Sequence, residues 1–217
     1  MRTSISNTRS ATHTIRRVAT LIAMLLVLGV VSFGQRYSIK TADGYLFIEN
    51  TANKSFTIEV RGKDVKPQQT GENPSFIIDG RLVQIIFPST EAFVPAGKEL
   101  KDERILELHQ VWETDYLAEA FGGKLKVITE NKVVNGRAAS SWSFVRPKYV
   151  DEFDRDLFFT VVVGKHVLGL NSPIPKGSKL EDYLKLHLET MSTLKVSDKP
   201  FDIDKLSEQI RKGRSVG

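Results

Sequence analysis

Three tight turns constrain the fold of this chain more than any other feature. Asp79-Gly80, Asn135-Gly136 and Gly164-Lys165 each separate two runs rich in β-branched and aromatic residues. A two-residue turn joins antiparallel neighbours, because a parallel crossover needs about a dozen residues or more. The sequence therefore predicts an antiparallel β-sheet built from hairpins.

Two further segments complete the strand prediction in the first half. "YLFIEN" (Tyr45 to Asn50) and "SFTIEV" (Ser55 to Val60) flank the turn "TANK" and predict another hairpin. The polar stretch Gly62 to Pro74 has helix and strand breakers at both ends, and we interpret it as a surface loop. The arrangement of the strands before Ile58 stays open.

A long helix is predicted from Lys98 to Phe121, where the sequence has no Pro or Gly until Gly122-Gly123 ends the run. A helical spacing of three and four residues predicts one buried face, formed by Ile105, Leu108, Trp112 and Tyr116. Leu106 and Leu117 lie off that face, so the helix is expected to be covered on more than one side.

A second helix is predicted from Leu180 to about Leu194. Its apolar stripe consists of Leu180, Leu184, Leu188, Met191 and Leu194. A short amphipathic segment, "DIDKLSEQIRKG", follows near the carboxyl end and is expected to fray. Two helices suffice to cover a hairpin sheet, so the fold class is α+β, within a single domain from residue 35 to 217.

The amino-terminal segment is typical of a signal peptide. Four arginines and no acidic residue precede an apolar run from Val18 to Val31, and Ser32-Phe33-Gly34 places small residues at −3 and −1 of a cut. Fourteen helical residues span about 21 Å, less than the roughly 30 Å of a bilayer core. We predict cleavage before Gln35, export to the periplasm or medium of a bacterium, and no stable membrane span afterwards; an uncleaved anchor is the alternative.

Charge and cysteine content exclude several classes of function. Without the four arginines of the first 34 residues, the 31 basic residues fall to 27, against 26 acidic residues. A near-neutral chain lacks the clustered positive field that a nucleic-acid partner requires. The chain has no cysteine, which excludes disulfides, thiolate zinc sites and thiol catalysis.

The histidines do not form a metal-binding motif. His187 falls on the stripe of the second helix and is interpreted as a core or edge residue. His109 is placed at the edge of the long helix's apolar face, with Glu113 one turn on as an ion-pair partner. His166 follows a turn and is expected to be exposed. No zinc site is predicted.

The acidic and nucleophilic residues of the sequence also form no motif of an active site or a metal site. The segment "DEFDRD" (Asp151 to Asp156) lacks the glycine of a calcium loop and is interpreted as a solvated loop. Asp204 is expected to cap the last helix. There is no G-x-S-x-G motif and no phosphate-binding loop. We therefore predict no catalytic residue, no metal and no cofactor.

The second half resembles the PsbP-like fold family of exported proteins. The resemblance rests on "ENKVVNGRAASSWSF", "LFFTVVVGKHVLGL" and "SPIPKGSKLEDYLKLHLETMSTLKV", and it covers residues 124 to 196. The family's hairpin glycine followed by a small residue corresponds to Gly136 and Ala138 or Ala139. The resemblance implies an α/β/α sandwich and an accessory or binding role, with no ligand specified.

These observations predict an exported, non-enzymatic binding or accessory module of the cell envelope, whose partner is an unknown protein or small ligand. The alternatives are a hydrolase whose carboxylates meet only on folding and a structural envelope component. Two loops are candidates for partner binding, Gly62 to Pro74 and Arg146 to Phe153. In the second loop the predicted contact residues are Arg146, Lys148, Tyr149 and Phe153.

Overall fold

Eleven strands and three α-helices form the part of the chain that the computed structural model describes, residues 34–68, 73–147 and 152–213. The strands are β1 (Gln35–Lys40), β2 (Gly44–Asn50), β3 (Ser55–Arg61), β4 (Val65–Gln68), β5 (Ser75–Ile78), β6 (Arg81–Ile86), β7 (Val127–Val134), β8 (Arg137–Val145), β9 (Phe153–Val163), β10 (His166–Pro175) and β11 (Lys195–Ser197). The helices are α1 (Asp102–Ala120), α2 (Leu180–Ser192) and α3 (Ile203–Arg211). Apart from Gly34, the predicted signal peptide lies outside the described residues.

The larger sheet has seven antiparallel strands in the order β4-β5-β6-β10-β9-β8-β7. Its hairpins confirm the three predicted turns. Asp79 and Gly80 have φ of 49° and 81°, and Asn135 and Gly136 have φ of 50° and 74°. Positive φ at both central residues is the conformation whose twist matches that of the flanking strands. Asp and Asn tolerate it better than other non-glycine residues, which explains the sequence preference.

The smaller sheet has four antiparallel strands in the order β1-β2-β3-β11. Its β2–β3 hairpin was predicted, whereas β11 was not. The three residues of β11 pair with β3, with Val196 opposite Phe56. A strand this short has no readable periodicity, so its place is decided by tertiary contacts.

The prediction of a surface loop from Gly62 to Pro74 was wrong in part. Val65–Gln68 forms β4, which pairs with β5 and places Pro67 opposite Phe76. Proline is tolerated there because β4 is an edge strand and one row of its backbone groups has no ladder partner. Residues 69–72 of this stretch lie outside the described residues.

Alternation along β9 divides the molecule into layers. Phe159, Val161 and Val163 point into the main core, which also contains side chains of α2, β2 and β3. Phe158 and Val162 point to the opposite face of the larger sheet, which α1 covers. The larger sheet therefore lies between α1 on one face and α2 with the smaller sheet on the other. This is the predicted α+β class.

Helix α1 ends where the sequence predicted, and its buried face is not the predicted one. Gly122 adopts φ 66°, and the Gly123 N–H donates to the Ala118 carbonyl at 2.9 Å. Leu106 and His109 are the buried residues of α1, whereas Trp112 is 38% and Tyr116 66% exposed. Three of the four predicted residues, Leu108, Trp112 and Tyr116, are thus turned away from the sheet, whereas Ile105 packs beside Leu106.

The stripe of α2 was also predicted only in part. Met191 is buried, but Leu188 is 43% exposed. The buried side chains of α2 are Tyr183, Leu186, His187, Thr190 and Met191. The polar His187 lies on the inner face, where it shares a hydrogen bond with the Ser172 hydroxyl.

Helix α3 is docked, contrary to the prediction that this segment frays. Leu206 is buried against Leu46 and Ile48 of β2. The helix is capped by Asp202, whose carboxylate accepts from the Lys205 N–H at 3.0 Å, and not by Asp204. A cap of this kind stabilises a helix by about 1 kcal/mol.

Candidate interaction surface

The side of α1 that faces away from the sheet exposes a run of large apolar side chains between acidic ones. We call this side the α1 outer face; its residues are Leu108, Val111, Trp112, Asp115, Tyr116 and Glu119. Val111, Trp112 and Tyr116 are among the few large hydrophobic residues exposed within the described ranges. Their spacing places them on neighbouring turns of one helix.

The opposite face of α1 explains this orientation. Leu106 packs on Val162 and Val167. Leu117 packs in the cluster of Trp142 and Phe158, whose rings stack at a centroid distance of 3.9 Å. This face has two strong leucine contacts with the sheet, and they fix the rotation of the helix about its axis.

Trp112 is held in place by neighbouring rings. Its ring centroid lies 5.6 Å from that of Phe93 and 6.1 Å from that of His109, and Phe93 and His109 are 5.4 Å apart. Phe93 belongs to the loop that leads into α1. A half-exposed indole supported in this way loses little side-chain entropy when a partner covers it.

The α1 outer face is acidic as well as apolar. Helix α1 carries six acidic residues against one arginine, and Arg104 pairs with Glu107 at 2.7 Å. Asp115 and Glu119 form no ion pair with any described residue. The last turn has no basic residue, so the negative end of the helix dipole adds to the two carboxylates.

A cavity of about 750 Å³ lies at the amino-terminal end of α1, where Ile105 lines it. Val94, Leu100 and Ile105 form its apolar wall, together with Pro95 and Ala96. Two lysines and two glutamates line it as well: Lys98, Lys165, Glu91 and Glu99. Ile105 and Phe93 pack on the same cluster as Leu106, which connects the cavity to the ring contacts of Trp112.

The predicted site at residues 146–153 has only two described members. Arg146 forms two hydrogen bonds to Asp156, at 2.5 and 2.8 Å, and its guanidinium lies 5.1 Å from the Phe153 ring and 5.7 Å from the Phe121 ring. These contacts are within the chain. Lys148 and Tyr149 lie outside the described residues, so the site as a whole stays a prediction.

The three histidines within the described ranges have different surroundings. His187 is fully buried and shares a 2.8 Å hydrogen bond with the Ser172 hydroxyl, and burial lowers its pKa to about 3. His109 is also buried, not at an edge, and burial lowers its pKa to about 4. His166 is half-buried and stacks on Phe87 at 4.4 Å, so its expected exposure was wrong.

The acidic residues of the described ranges do not converge on a common site. Asp156 is paired with Arg146, as described above, and Glu49 is paired with Arg36 at 2.6 Å. Burial raises the pKa of Glu49 and of Glu113. No group of three His, Asp or Glu side chains with metal-site geometry occurs within the described ranges.

Comparisons with known proteins give a likeness of fold only. No family model and no curated protein matches the sequence. The solution structure of cyanobacterial PsbP from Synechocystis sp. PCC 6803 is similar, with a TM-score of 0.47 and 12% identity. That match covers 78% of this chain and 96% of the cyanobacterial one, and it agrees with the resemblance predicted from the second half.

The sequence pattern named three residues of the α1 outer face, Leu108, Trp112 and Tyr116, but assigned them to the buried side of the helix. The signal that separates the two faces is the Leu106–Leu117 pair, which lies on the opposite side of the helix and contacts the sheet. None of the described helices is long and apolar enough to cross a membrane.

Proposed function

We propose that this chain is an exported, non-enzymatic binding module of the bacterial cell envelope, and that it holds a protein partner on the α1 outer face. The observation that carries this proposal is the grouping of Val111, Trp112 and Tyr116 on one exposed helix side. Exposed apolar groups cost free energy in water, so their concentration on a folded surface is typical of an interaction site.

The residue types favour a protein partner over a small ligand. Trp and Tyr are enriched among the residues that dominate protein–protein binding energy. The α1 outer face is one exposed side of a single helix, whereas small-molecule sites are concave and enclose most of their ligand. The supported indole of Trp112 provides a rigid anchor at its centre.

A binding role also agrees with the positions of the buried titratable groups. His109 and His187 are buried within the protein, and the Arg146–Asp156 pair links β8 to β9. A catalytic group must reach a reacting atom of the substrate. The side chains of His109, His187 and the Arg146–Asp156 pair instead contact other residues of the protein.

Export is supported by the agreement between the predicted cut and the described fold. Gln35 is the first residue of β1 and pairs with Asn50. Cleavage before Gln35 therefore leaves every strand of the smaller sheet whole. Mass spectrometry of the mature protein is expected to show loss of the first 34 residues; an intact chain in salt-washed membranes contradicts the export proposal.

Partner capture tests the assigned surface. Wild-type protein and the Trp112→Ala/Tyr116→Ala variant are used as bait in detergent-free envelope extracts. The variant is expected to capture at least about ten-fold less partner than the wild-type protein, since central aromatic anchors carry most of the binding energy. Ile128→Ala/Val133→Ala is the matched control, because it removes exposed apolar residues from β7.

Two further outcomes contradict the proposal. If Tyr149→Ala/Phe153→Ala abolishes capture while the α1 variant does not, the surface is the loop predicted from the sequence. Robust turnover of ester, glycoside or peptide substrates that one Asp or Glu substitution abolishes establishes the hydrolase alternative.

A further inference from the structure

The charge of the α1 outer face specifies the chemistry of its partner. We propose that the partner binds through a basic amphipathic helix of about three turns, whose apolar side covers Trp112 and Tyr116 and whose Lys or Arg residues meet Asp115 and Glu119. This inference rests on the proposed function and adds the class of ligand to it.

The electrostatic part of the argument depends on two carboxylates. Asp115 and Glu119 are one turn apart and alternate with Trp112 and Tyr116 along the helix. Neither carboxylate has an ion-pair partner among the described residues. Arg104, the only cation of α1, is already paired with Glu107. A basic segment therefore gains attraction both from these carboxylates and from the negative end of the helix dipole.

The apolar part sets the length of the segment. Ile105, at the cavity, and Tyr116, near the end of α1, are eleven residues apart, which corresponds to about 16 Å along the helix axis. A partner helix of three turns covers that distance. One apolar side chain at its end reaches the cavity beside Leu100 and Ile105, where two lysines and two glutamates balance each other's charge.

The same charges disfavour the other common partners of an exposed aromatic face. Nucleic acids and anionic membranes present phosphates, and the unpaired carboxylates of α1 repel them. The occupant is therefore a protein segment with positive charge.

The probe for this inference is a pair of labelled peptides of about 14 residues. One has a leucine stripe flanked by lysines; its twin has glutamate in place of each lysine. Fluorescence anisotropy with the mature protein is expected to give at least about ten-fold tighter binding of the lysine peptide. That difference is expected to shrink as salt rises from roughly 50 to 300 mM, because screening weakens exposed charge pairs.

Variants of the α1 outer face test where the lysine peptide binds. Asp115→Asn/Glu119→Gln is expected to weaken lysine-peptide binding by about ten-fold and to remove most of its salt dependence. Trp112→Ala/Tyr116→Ala is expected to weaken it further, while Ile128→Ala/Val133→Ala leaves it unchanged. Circular dichroism and melting temperature show that each variant remains folded.

Three results overturn the inference. They are equal binding of the two peptides, undiminished binding to the Asp115→Asn/Glu119→Gln variant, and binding of the protein to lipid vesicles through Trp112 in preference to the lysine peptide. The proposed function has a separate readout. Envelope capture that depends on Trp112 and Tyr116, with no preference for the lysine peptide, retains the binding role and rejects the basic partner.

Discussion

Two imidazoles are buried deep enough to resist protonation. His109 is fully buried, and neither of its ring nitrogens has a hydrogen-bond partner among the described residues. His187 is equally buried but shares its Nε2 with Ser172. Burial disfavours the charged form in both, which is why their pKa values fall to about 4 and about 3.

This burial predicts a loss of stability in mild acid. In the unfolded chain these histidines take up protons near pH 6.5, whereas in the folded chain they do so only near pH 4 and 3. The free energy of unfolding is therefore expected to fall as pH drops below about 6.5, by up to about 1.4 kcal/mol per pH unit for each histidine. Urea unfolding between pH 7 and 5 measures the slope.

A single substitution isolates the contribution of His109. His109→Phe keeps an aromatic ring beside Phe93 and is expected to flatten the slope while changing stability little at pH 7. His166→Phe is expected to flatten the slope less, because burial also lowers the pKa of this half-buried ring but the Glu91 carboxylate opposes that effect. Glu49 and Glu113 act in the opposite direction, because burial raises their pKa values. Their contribution to stability is present below pH 4.5 and is lost as pH rises through the raised folded values. An unchanged slope in His109→Phe contradicts the prediction.

The Arg146–Asp156 pair is expected to act as one unit. Arg146→Ala leaves the buried Asp156 carboxylate without its partner and is expected to lower the free energy of unfolding by about 3–5 kcal/mol. Arg146→Lys keeps the charge but loses the second hydrogen bond and the ring contacts, so it is expected to have an intermediate effect. Chemical denaturation at pH 7 measures both.

The double variant Arg146→Met/Asp156→Leu checks the reason for that loss. It is expected to be more stable than Arg146→Ala, because no charge is left buried alone. If Arg146→Ala is as stable as wild type, the pair has no structural role and Arg146 becomes available as a partner-binding residue.

At the scale of elements, α1 offers a matched pair of leucines. Leu106 is buried and Leu108 is half-buried on the outer face. Leu106→Ala is expected to cost about 2–4 kcal/mol, because it leaves a cavity against Val162 and Val167, and Leu108→Ala under about 1 kcal/mol. Thermal and urea unfolding of the two variants rank the two faces; equal losses contradict the observed orientation.

Local signals explain which elements could be predicted. The Asp79-Gly80 and Asn135-Gly136 turns require their own backbone conformation, so the hairpins follow from a few adjacent residues. The three-residue β11 has no such signal, because its pairing with β3 depends on distant residues. Edge strand β4 was missed because it is short, polar and interrupted by Pro67.

The candidate surface could be predicted only in part, for a different physical reason. Both sides of α1 carry large apolar residues, and the inner side also holds His109 and Glu113. Hydrophobicity alone therefore ranks the outer stripe first. Which side of α1 faces the sheet is decided by packing, because Leu106 and Leu117 fit against clusters of side chains from β8, β9 and β10. A single sequence does not reveal that fit.

Across the whole fold, Asn50 at the end of β2 connects the first part of the described chain to the segment that leads into α3. Its side chain donates to the Phe201 carbonyl at 2.9 Å and accepts from the Phe201 N–H at 2.8 Å. Asn50→Ala is expected to cost about 1–3 kcal/mol and to release α3 before the rest unfolds. Limited proteolysis with mass analysis is expected to show faster cleavage between residues 198 and 211; cleavage first within β5 to β10 contradicts this.

The pairing of β11 with β3 also constrains when folding can finish. Strands β1 to β3 belong to the first part of the described chain, but their sheet is completed by β11 and covered by α3 from the last part. Contacts between distant segments slow folding, because the loop between them must close first. The ribosome makes the chain from its amino terminus, so the smaller sheet stays incomplete until β11 has been synthesised.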